Sequence, residues 1–211
     1  MNKKKWTIGL SAIALAGILA VGGVLAWLTA QTATKKNTFV ATAGLSGAIQ
    51  EVNWDGLDYG NNPVTPQPSP LGRDMAKDML PGMVIPKNPQ VKNTSQKEPA
   101  YIAVRLDISC DGAEGQAALD AVSAFADIRF NTGEWTALGT SKDGKAVVYV
   151  YNTAVEAGSE TSDVFKSVNV HNNANAADIK DFQIDAAGYL AQVQSGKTAA
   201  DCIKAAFPDL V

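Results

Sequence analysis

The amino-terminal segment constrains this chain more than any later part of it. Lysines at positions 3 to 5 precede an almost wholly apolar, small-residue stretch over residues 8–28, and no charge follows until Lys35. Basic residues, an apolar run and a small-residue exit are typical of a cleavable signal peptide. The pattern predicts that the lysines stay in the cytoplasm and that the remainder of the chain is exported.

The exit of the apolar run indicates where cleavage occurs. Val24, Leu25 and Ala26 satisfy the small-x-small requirement, which predicts a cut between Ala26 and Trp27. A retained membrane anchor is the alternative, because about 20 apolar residues can span a bilayer. On either interpretation residues 1–26 form the targeting segment and residues 27–211 form one extracytoplasmic domain.

Composition and charge limit the classes of protein to which that domain can belong. The chain has 211 residues, of which 46% are hydrophobic and 18% charged, values that suit a globular domain rather than a disordered or collagen-like one. Removing residues 1–26 takes away three lysines and no acidic residue, which leaves 15 basic against 21 acidic residues. A net charge of −6 without a basic stripe argues against nucleic acid as a partner.

The clearest strand pattern lies at residues 100–109. Ile102, Val104, Leu106 and Ile108 fall on one face and mostly polar residues on the other, as in a half-buried antiparallel strand. Pro86 and Pro89 mark a strand over residues 83–93 as an edge strand. Residues 37–52 are predicted to form either one extended strand or a pair of strands broken at Gly44 or Gly47. Other strands are predicted over residues 128–130, 135–138, 146–151, 164–170 and 182–194, the last with a bulge at Gly188.

Helices and loops complete the predicted architecture. Helical spacing appears over residues 113–125, a short turn of helix over residues 73–79, and a C-terminal helix capped by Thr198 with Asp201 three residues on. Four closely spaced prolines predict a surface loop at about residues 55–72, with a PxxP-type ligand as the alternative. Many short strands with one or two short helices predict a mainly β fold, a jelly-roll-like antiparallel β-sandwich preceded by the signal or transmembrane helix.

The residues available for catalysis are few. His171 is the one histidine, and the sequence has no HExxH, GxSxG, Walker A or GxGxxG motif. Asp107, Ser109 and Asp111 resemble the start of a calcium loop, but position twelve is Ala118 instead of glutamate. We therefore predict no catalytic, cofactor-binding or metal-binding residues, no cofactor, and a protein that is not an enzyme.

Two cysteines, Cys110 and Cys202, permit a disulfide in an exported chain. The alternative is that both are small buried hydrophobic residues. Neither belongs to a CxxC motif or has a histidine nearby, so a zinc site is not indicated.

Four segments together resemble the TasA and camelysin family of Gram-positive bacteria, whose members are exported by a SipW-type signal peptidase. At the signal exit, residues 26–29 followed by Asn37, Thr38 and Phe39 are similar to the family's aromatic-x-Thr and Asn-Thr-Phe layout. The other segments are LPGMVIPKNPQVKNTSQKEPAYIAVRLDI, VVYVYNTAVEAGSETSDVFKSVNV and FQIDAAGYLAQVQ.

The resemblance implies a secreted jelly-roll subunit of extracellular biofilm-matrix fibres at the cell surface. In fibre-forming members a freed N-terminal strand completes the sheet of the next copy, so the implied partners are further copies of the same chain and the signal peptidase. The implied donor residues here are Trp27, Leu28, Thr38, Phe39 and Val40. The chain is expected to contact the membrane only through the signal segment. A camelysin-like cell-surface metalloprotease and a pilin-like adhesin are the alternatives.

Overall fold

The computed structural model describes the backbone of residues 38–41 and the whole of residues 44–211. These residues belong to one compact unit, residues 35–211. The predicted signal segment, its cleavage site at Ala26 and Trp27, and the donor residue Leu28 lie outside the described residues. Within the described part of the chain, no helix is long and apolar enough to cross a membrane.

The described residues form eleven strands and four short α-helices. The strands are β1 Thr38–Ala41, β2 Gly47–Gln50, β3 Val84–Pro86, β4 Gln90–Asn93, β5 Ala100–Cys110, β6 Ala113–Glu114, β7 Ala126–Phe130, β8 Trp135–Thr140, β9 Ala146–Tyr151, β10 Phe165–Val170 and β11 Phe182–Gln192. The helices are α1 Val52–Asp55, α2 Gly72–Met75, α3 Gly115–Ser123 and α4 Ala199–Ala206, and a 3-10 turn spans Ala176–Asp178. The protein is therefore mainly β, as the sequence predicts.

The strands form one large and two small sheets. The main sheet has the order β1-β11-β5-β9-β8, with β6 added beside β5. Its centre is the antiparallel pair β5 and β11, which stay in register over eleven residues from the Phe182–Cys110 pair to the Gln192–Ala100 pair. A three-stranded sheet has the order β3-β10-β7, and β2 pairs with β4. All described pairings are antiparallel except that of β1 with β11.

The alternation of β5 places the main core on one face of this sheet. Ile102, Val104, Leu106 and Ile108 are all buried and pack in one cluster with Trp135, among other residues. On the opposite, outer face, Ala103 is also buried, because α4 packs over that end of the sheet. The predicted two-faced strand is thus confirmed, with a helix covering part of its second face.

Helix α4 begins where the sequence predicts. The Thr198 hydroxyl accepts a hydrogen bond from the Asp201 backbone N–H at 3.1 Å, and the Asp201 carboxylate accepts one from the Thr198 N–H at 3.2 Å. This reciprocal capping box satisfies two backbone donors that a helix N-terminus otherwise leaves unpaired.

One strand feature is predicted wrongly. Gly188 forms no bulge, because it lies in unbroken register opposite Val104. The irregularity falls instead in β8, between Ala137 and Gly139, where Gly139 has a φ of +126° that residues with a β-carbon rarely adopt. Pro86 does lie on an edge strand, since β3 ends the three-stranded sheet.

The proline-rich segment is a surface loop between α1 and α2, and most of its residues are exposed. Its first turn is held by the Asp58 carboxylate, which accepts hydrogen bonds from the backbone N–H groups of Gly60 and Asn62, both at 2.8 Å. Its end is fixed at Gly72, where an added Cβ would lie 1.8 Å from the Pro86 carbonyl oxygen. The loop is therefore attached closely to β3.

A buried ion pair lies at the base of this loop. The Lys87 ammonium contacts both carboxylate oxygens of Glu51, at 2.8 and 2.9 Å, and the two side chains are 5% and 3% exposed. The Trp54 ring lies beneath the same ammonium, with its centroid 4.5 Å away. A charge so far from water is tolerated only when its partner is present.

We expect Lys87→Met to destabilise the protein by about 3 to 5 kcal/mol, because it leaves the Glu51 carboxylate buried without its cation. The double variant Lys87→Met with Glu51→Leu is expected to recover part of this loss. Urea denaturation followed by circular dichroism measures both values.

Lys77→Met is the matched control, since Lys77 pairs with Asp74 at 2.8 Å while both side chains are 52% exposed. Exposed pairs contribute about 0 to 1 kcal/mol. An equal effect of the two lysine substitutions would contradict the structural importance of the buried pair.

Candidate assembly edge

The far side of β11 is the edge of the main sheet to which the N-terminal strand is added. β5 pairs with all eleven residues of β11 on one side. On the other side β1 pairs with four of them, from Thr38 beside Ala187 to Ala41 beside Leu190. Among the described residues, no strand pairs with residues 182–186 on this side. The described N-terminal strand therefore lies beside residues 187–190 of this edge.

This placement bears directly on the predicted donor strand. Thr38, Phe39 and Val40 lie on the β11 edge of their own chain, in parallel register. Donation to another copy then requires the strand to leave that edge. Trp27 and Leu28, the remaining predicted donor residues, lie outside the described part of the chain.

The connection between β1 and β2 provides a place for such a movement. Gly44 is exposed, has a φ of +87°, and has no atom within 4 Å of the position that a Cβ would occupy. A glycine in this conformation changes its backbone angles at little cost. Gly44 is therefore a position at which the backbone is suited to act as a hinge.

Three other described edge strands carry features that hinder further pairing. β3 ends at Pro86, β7 carries the Arg129 and Asp127 ion pair at 3.5 Å, and β8 contains the irregularity near Gly139. Proline, charge and bulges are the usual means by which proteins protect sheet edges. Residues 182–186 contain no proline, and their register is regular.

The outer face beside this edge is polar and acidic. Arg105 binds the Asp107 carboxylate through Nε at 3.0 and 3.1 Å, and its Nη2 contacts Asp143 at 2.7 Å. Asp185 on β11 lies directly opposite Asp107 on β5 and also accepts a hydrogen bond from Gln183 at 2.6 Å. Like charges directly opposite on neighbouring strands destabilise a sheet.

The same contacts shift the titration of Asp143. A hydrogen bond from the Ser141 hydroxyl at 2.6 Å, together with the Arg105 guanidinium, holds the pKa of Asp143 well below its usual range. Stability that Asp143 contributes is therefore present above the ordinary carboxyl pKa and is lost as the pH falls towards the native pKa.

The two cysteines form no disulfide. Both are free and buried, and they lie in different hydrophobic clusters, Cys110 in the main core and Cys202 on the buried side of α4. The disulfide alternative is therefore wrong, because the main sheet separates the two clusters. The structure places both residues as small buried hydrophobic residues.

The residues considered for catalysis or metal binding do not come together. His171 is partly exposed, and its Nε2 lies 3.3 Å from Asp127. Asp107 and Ser109 lie on β5, whereas Asp111 lies in the following turn with a φ of +49°. Within residues 44–211, no three His, Cys, Asp or Glu side chains form a group that could hold a metal ion.

Comparisons with known proteins do not assign this chain to a family. Neither the protein-family models nor the curated proteins yield a match to this chain. The similarity to the TasA and camelysin family remains a resemblance of segments.

The opposition of Asp107 and Asp185 was not predicted from the sequence. Alternation within each predicted strand places both carboxylates on the polar face, which was the available signal. Which residue of one strand lies opposite which residue of the other depends on register. Register between two strands that are separated by 71 residues cannot be predicted from one sequence.

We expect Arg105→Met to destabilise the protein by about 2 kcal/mol, the scale of a lost set of hydrogen bonds to charged groups. The loss should shrink in high salt, which screens the remaining carboxylates. NMR titration should show the pKa of Asp143 rising towards its ordinary value. Arg129→Met, at an exposed pair, is the control, and equal losses for both arginines would contradict this assignment.

Proposed function

We propose that this protein is a secreted structural subunit that assembles head to tail into extracellular fibres by exchange of its N-terminal strand. Its sheets would form a jelly-roll-like sandwich, and the signal peptidase would free the strand during export. The observation that carries the proposal is the pairing of β1 with the edge of β11, in which the four described residues Thr38–Ala41 lie beside residues 187–190.

The pairing supports exchange because its contacts are made through the backbone. A strand from a second copy satisfies the same β11 groups in the same register as the chain's own strand. The exchanged contact is therefore nearly equal in energy to the one that it replaces. Each copy both gives a strand and receives one, so the interaction is head to tail and continues into a filament.

The charge distribution supports the same partner. Five of the 18 basic residues precede residue 44 and all 21 acidic residues follow it, which gives residues 44–211 a net charge of −8. The segment between the predicted cleavage site and residue 43 carries two lysines and no acidic residue. A basic strand is attracted to the acidic body of another copy.

The cleavage step gives the proposal a switch. In the precursor, the residues before β1 continue into the apolar segment at residues 8–28. A strand that is tethered to a membrane-inserted segment is not free to reach another copy. Removal of residues 1–26 would release it.

Two single-cysteine variants test the exchange directly. Thr38 and Ala187 are aligned neighbours across the β1 and β11 pairing. When processed Thr38→Cys copies are mixed with processed Ala187→Cys copies, we expect an intermolecular disulfide, seen on a non-reducing gel, and fibres by electron microscopy. Ala137→Cys on the exposed face of β8 is the matched control and should not crosslink to Thr38→Cys.

A different outcome would reject the proposal. If the double variant crosslinks within one chain while the mixed single variants never crosslink, the strand does not leave its own copy. Soluble monomers with metal-dependent hydrolysis of casein would instead favour the camelysin-like peptidase. Extending the processed chain ahead of Trp27 with a tag should stop polymerisation, and unchanged fibres would also contradict strand exchange.

A further inference from the structure

We propose that the turn between β5 and β6 is a site of spontaneous modification, at which Asp111 closes a succinimide ring with Gly112 and is converted to isoaspartate. The sequence contains three Asp-Gly pairs, at residues 55–56, 111–112 and 143–144. The fold protects the first and third pairs and leaves the second one open to reaction. This inference does not rest on the proposed function.

The reaction needs no enzyme and no oxidant. The Gly112 amide nitrogen attacks the side-chain carboxyl carbon of Asp111, a C–N bond forms, and the carboxyl hydroxyl leaves with the amide hydrogen as one water. A water then adds to the main-chain carbonyl carbon of the ring and breaks its bond to the glycine nitrogen. The main chain now runs through the former side chain, and the total mass is unchanged.

The position of the reactive pair in the fold leaves both of its groups accessible. Cys110 pairs with Ala113, so that Asp111 and Gly112 are the two residues of the hairpin turn. Both are exposed, and no atom lies within 4 Å of the position that a Cβ on Gly112 would occupy. Within residues 44–211, neither the Asp111 carboxylate nor the Gly112 amide has a hydrogen-bond partner.

The backbone conformation of this turn favours the product. Asp111 has a φ of +49° and Gly112 a φ of +82°. The left-handed region is unfavourable for residues with a Cβ, although aspartate tolerates it better than most. Isoaspartate has one more methylene group in its main chain, so the constraint that the turn places on the φ of Asp111 is released.

The pair formed by Asp143 and Gly144 also lies in a turn, between β8 and β9, but its reacting groups are held. Its carboxylate accepts hydrogen bonds from the Ser141 hydroxyl at 2.6 Å, the Lys145 N–H at 3.1 Å and Arg105 at 2.7 Å. The Gly144 N–H donates to the Ser141 carbonyl at 2.9 Å. The hydrogen bonds to the carboxylate hold the pKa of Asp143 well below its usual range. An ionised carboxylate resists attack, because ring closure requires the loss of a hydroxyl group.

The pair formed by Asp55 and Gly56 is protected by burial and by hydrogen bonds. Asp55 is 4% exposed, and its carboxylate accepts a hydrogen bond from the Leu57 N–H at 2.9 Å. The Gly56 N–H donates to the Val52 carbonyl at 2.9 Å, at the end of α1. The two protected pairs are therefore internal controls for the same chemistry.

The modification changes the hairpin but not the centre of the sheet. A two-residue turn between paired residues cannot take up an additional main-chain atom and keep the pairing of Cys110 with Ala113. The pairing of β5 with β11 extends over eleven residues and ends beside this turn. We therefore expect the modified chain to keep that pairing and to lose the regular β5–β6 hairpin.

Ageing of the purified protein at neutral pH tests the inference. Peptide mapping by mass spectrometry locates isoaspartate, and a purified isoaspartyl carboxyl methyltransferase measures its amount through methylation of the newly freed carboxylate. In the native protein we expect isoaspartate to form several-fold faster at residue 111 than at residue 55 or 143. Equal rates at residues 111 and 143, or no isoaspartate at residue 111, would overturn the assignment.

Unfolding separates the effect of the fold from that of the local sequence. In concentrated urea the contacts that protect Asp55 and Asp143 are lost, so the three pairs should react at similar rates. If residue 111 keeps its full advantage in urea, its reactivity comes from neighbouring residues in the sequence, and the structural explanation is wrong.

Two variants complete the experiment. Asp111→Glu should abolish the signal at this position, because its closure requires a six-membered ring, which forms slowly. Arg105→Met removes a contact from Asp143 and none from Asp111, so it should raise the rate at residue 143 and leave the rate at residue 111 unchanged. A rate at residue 143 that does not rise would contradict its protection by carboxylate contacts.

Discussion

The continuous pairing of β5 with β11 is the interaction on which the rest of the described structure depends. Eleven residues of each strand lie opposite one another without a break. This pairing places the core residues of β5 on one face and gives β9 and β11 their positions as its neighbours. It also satisfies one whole side of β11, so that the remaining backbone groups of β11 are all directed to the edge where β1 lies.

The two faces of that sheet have separate roles because different elements cover them. The inner face is closed by the main core. The outer face is divided: α4 covers Ala103 and Ala191 at one end, while the other end carries the ion pair of Arg105 and Asp107, whose carboxylate side chain is 41% exposed. Burial of the apolar end contributes stability.

Local structure was largely predictable from the sequence, whereas the assembly edge was not. The alternation at residues 100–109 and the Thr198 cap are produced by neighbours in sequence, so the prediction and the structure agree. The prediction of a bulge at Gly188 was wrong. A glycine in a strand indicates either a bulge or a close approach of another backbone. Here the eleven-residue pairing with β5 keeps the register regular. The pairing of β1 with β11 joins positions some 150 residues apart, and no local pattern encodes it.

Because β1 lies on its own sheet, the sheet edge of another copy would have to compete with that sheet for the strand. The length of the connection to β1 determines how strong this competition is. When a short connection joins a strand to its sheet, the effective concentration of that sheet's edge at the strand is about millimolar. A backbone contact that is equal within and between copies cannot overcome that advantage in dilute solution. If exchange occurs as proposed, fibres would be favoured only where subunits are concentrated, as on a surface that exports them, or where neighbouring copies make contacts beyond the strand. Backbone freedom at Gly44 would lower the barrier to exchange without choosing between the two states.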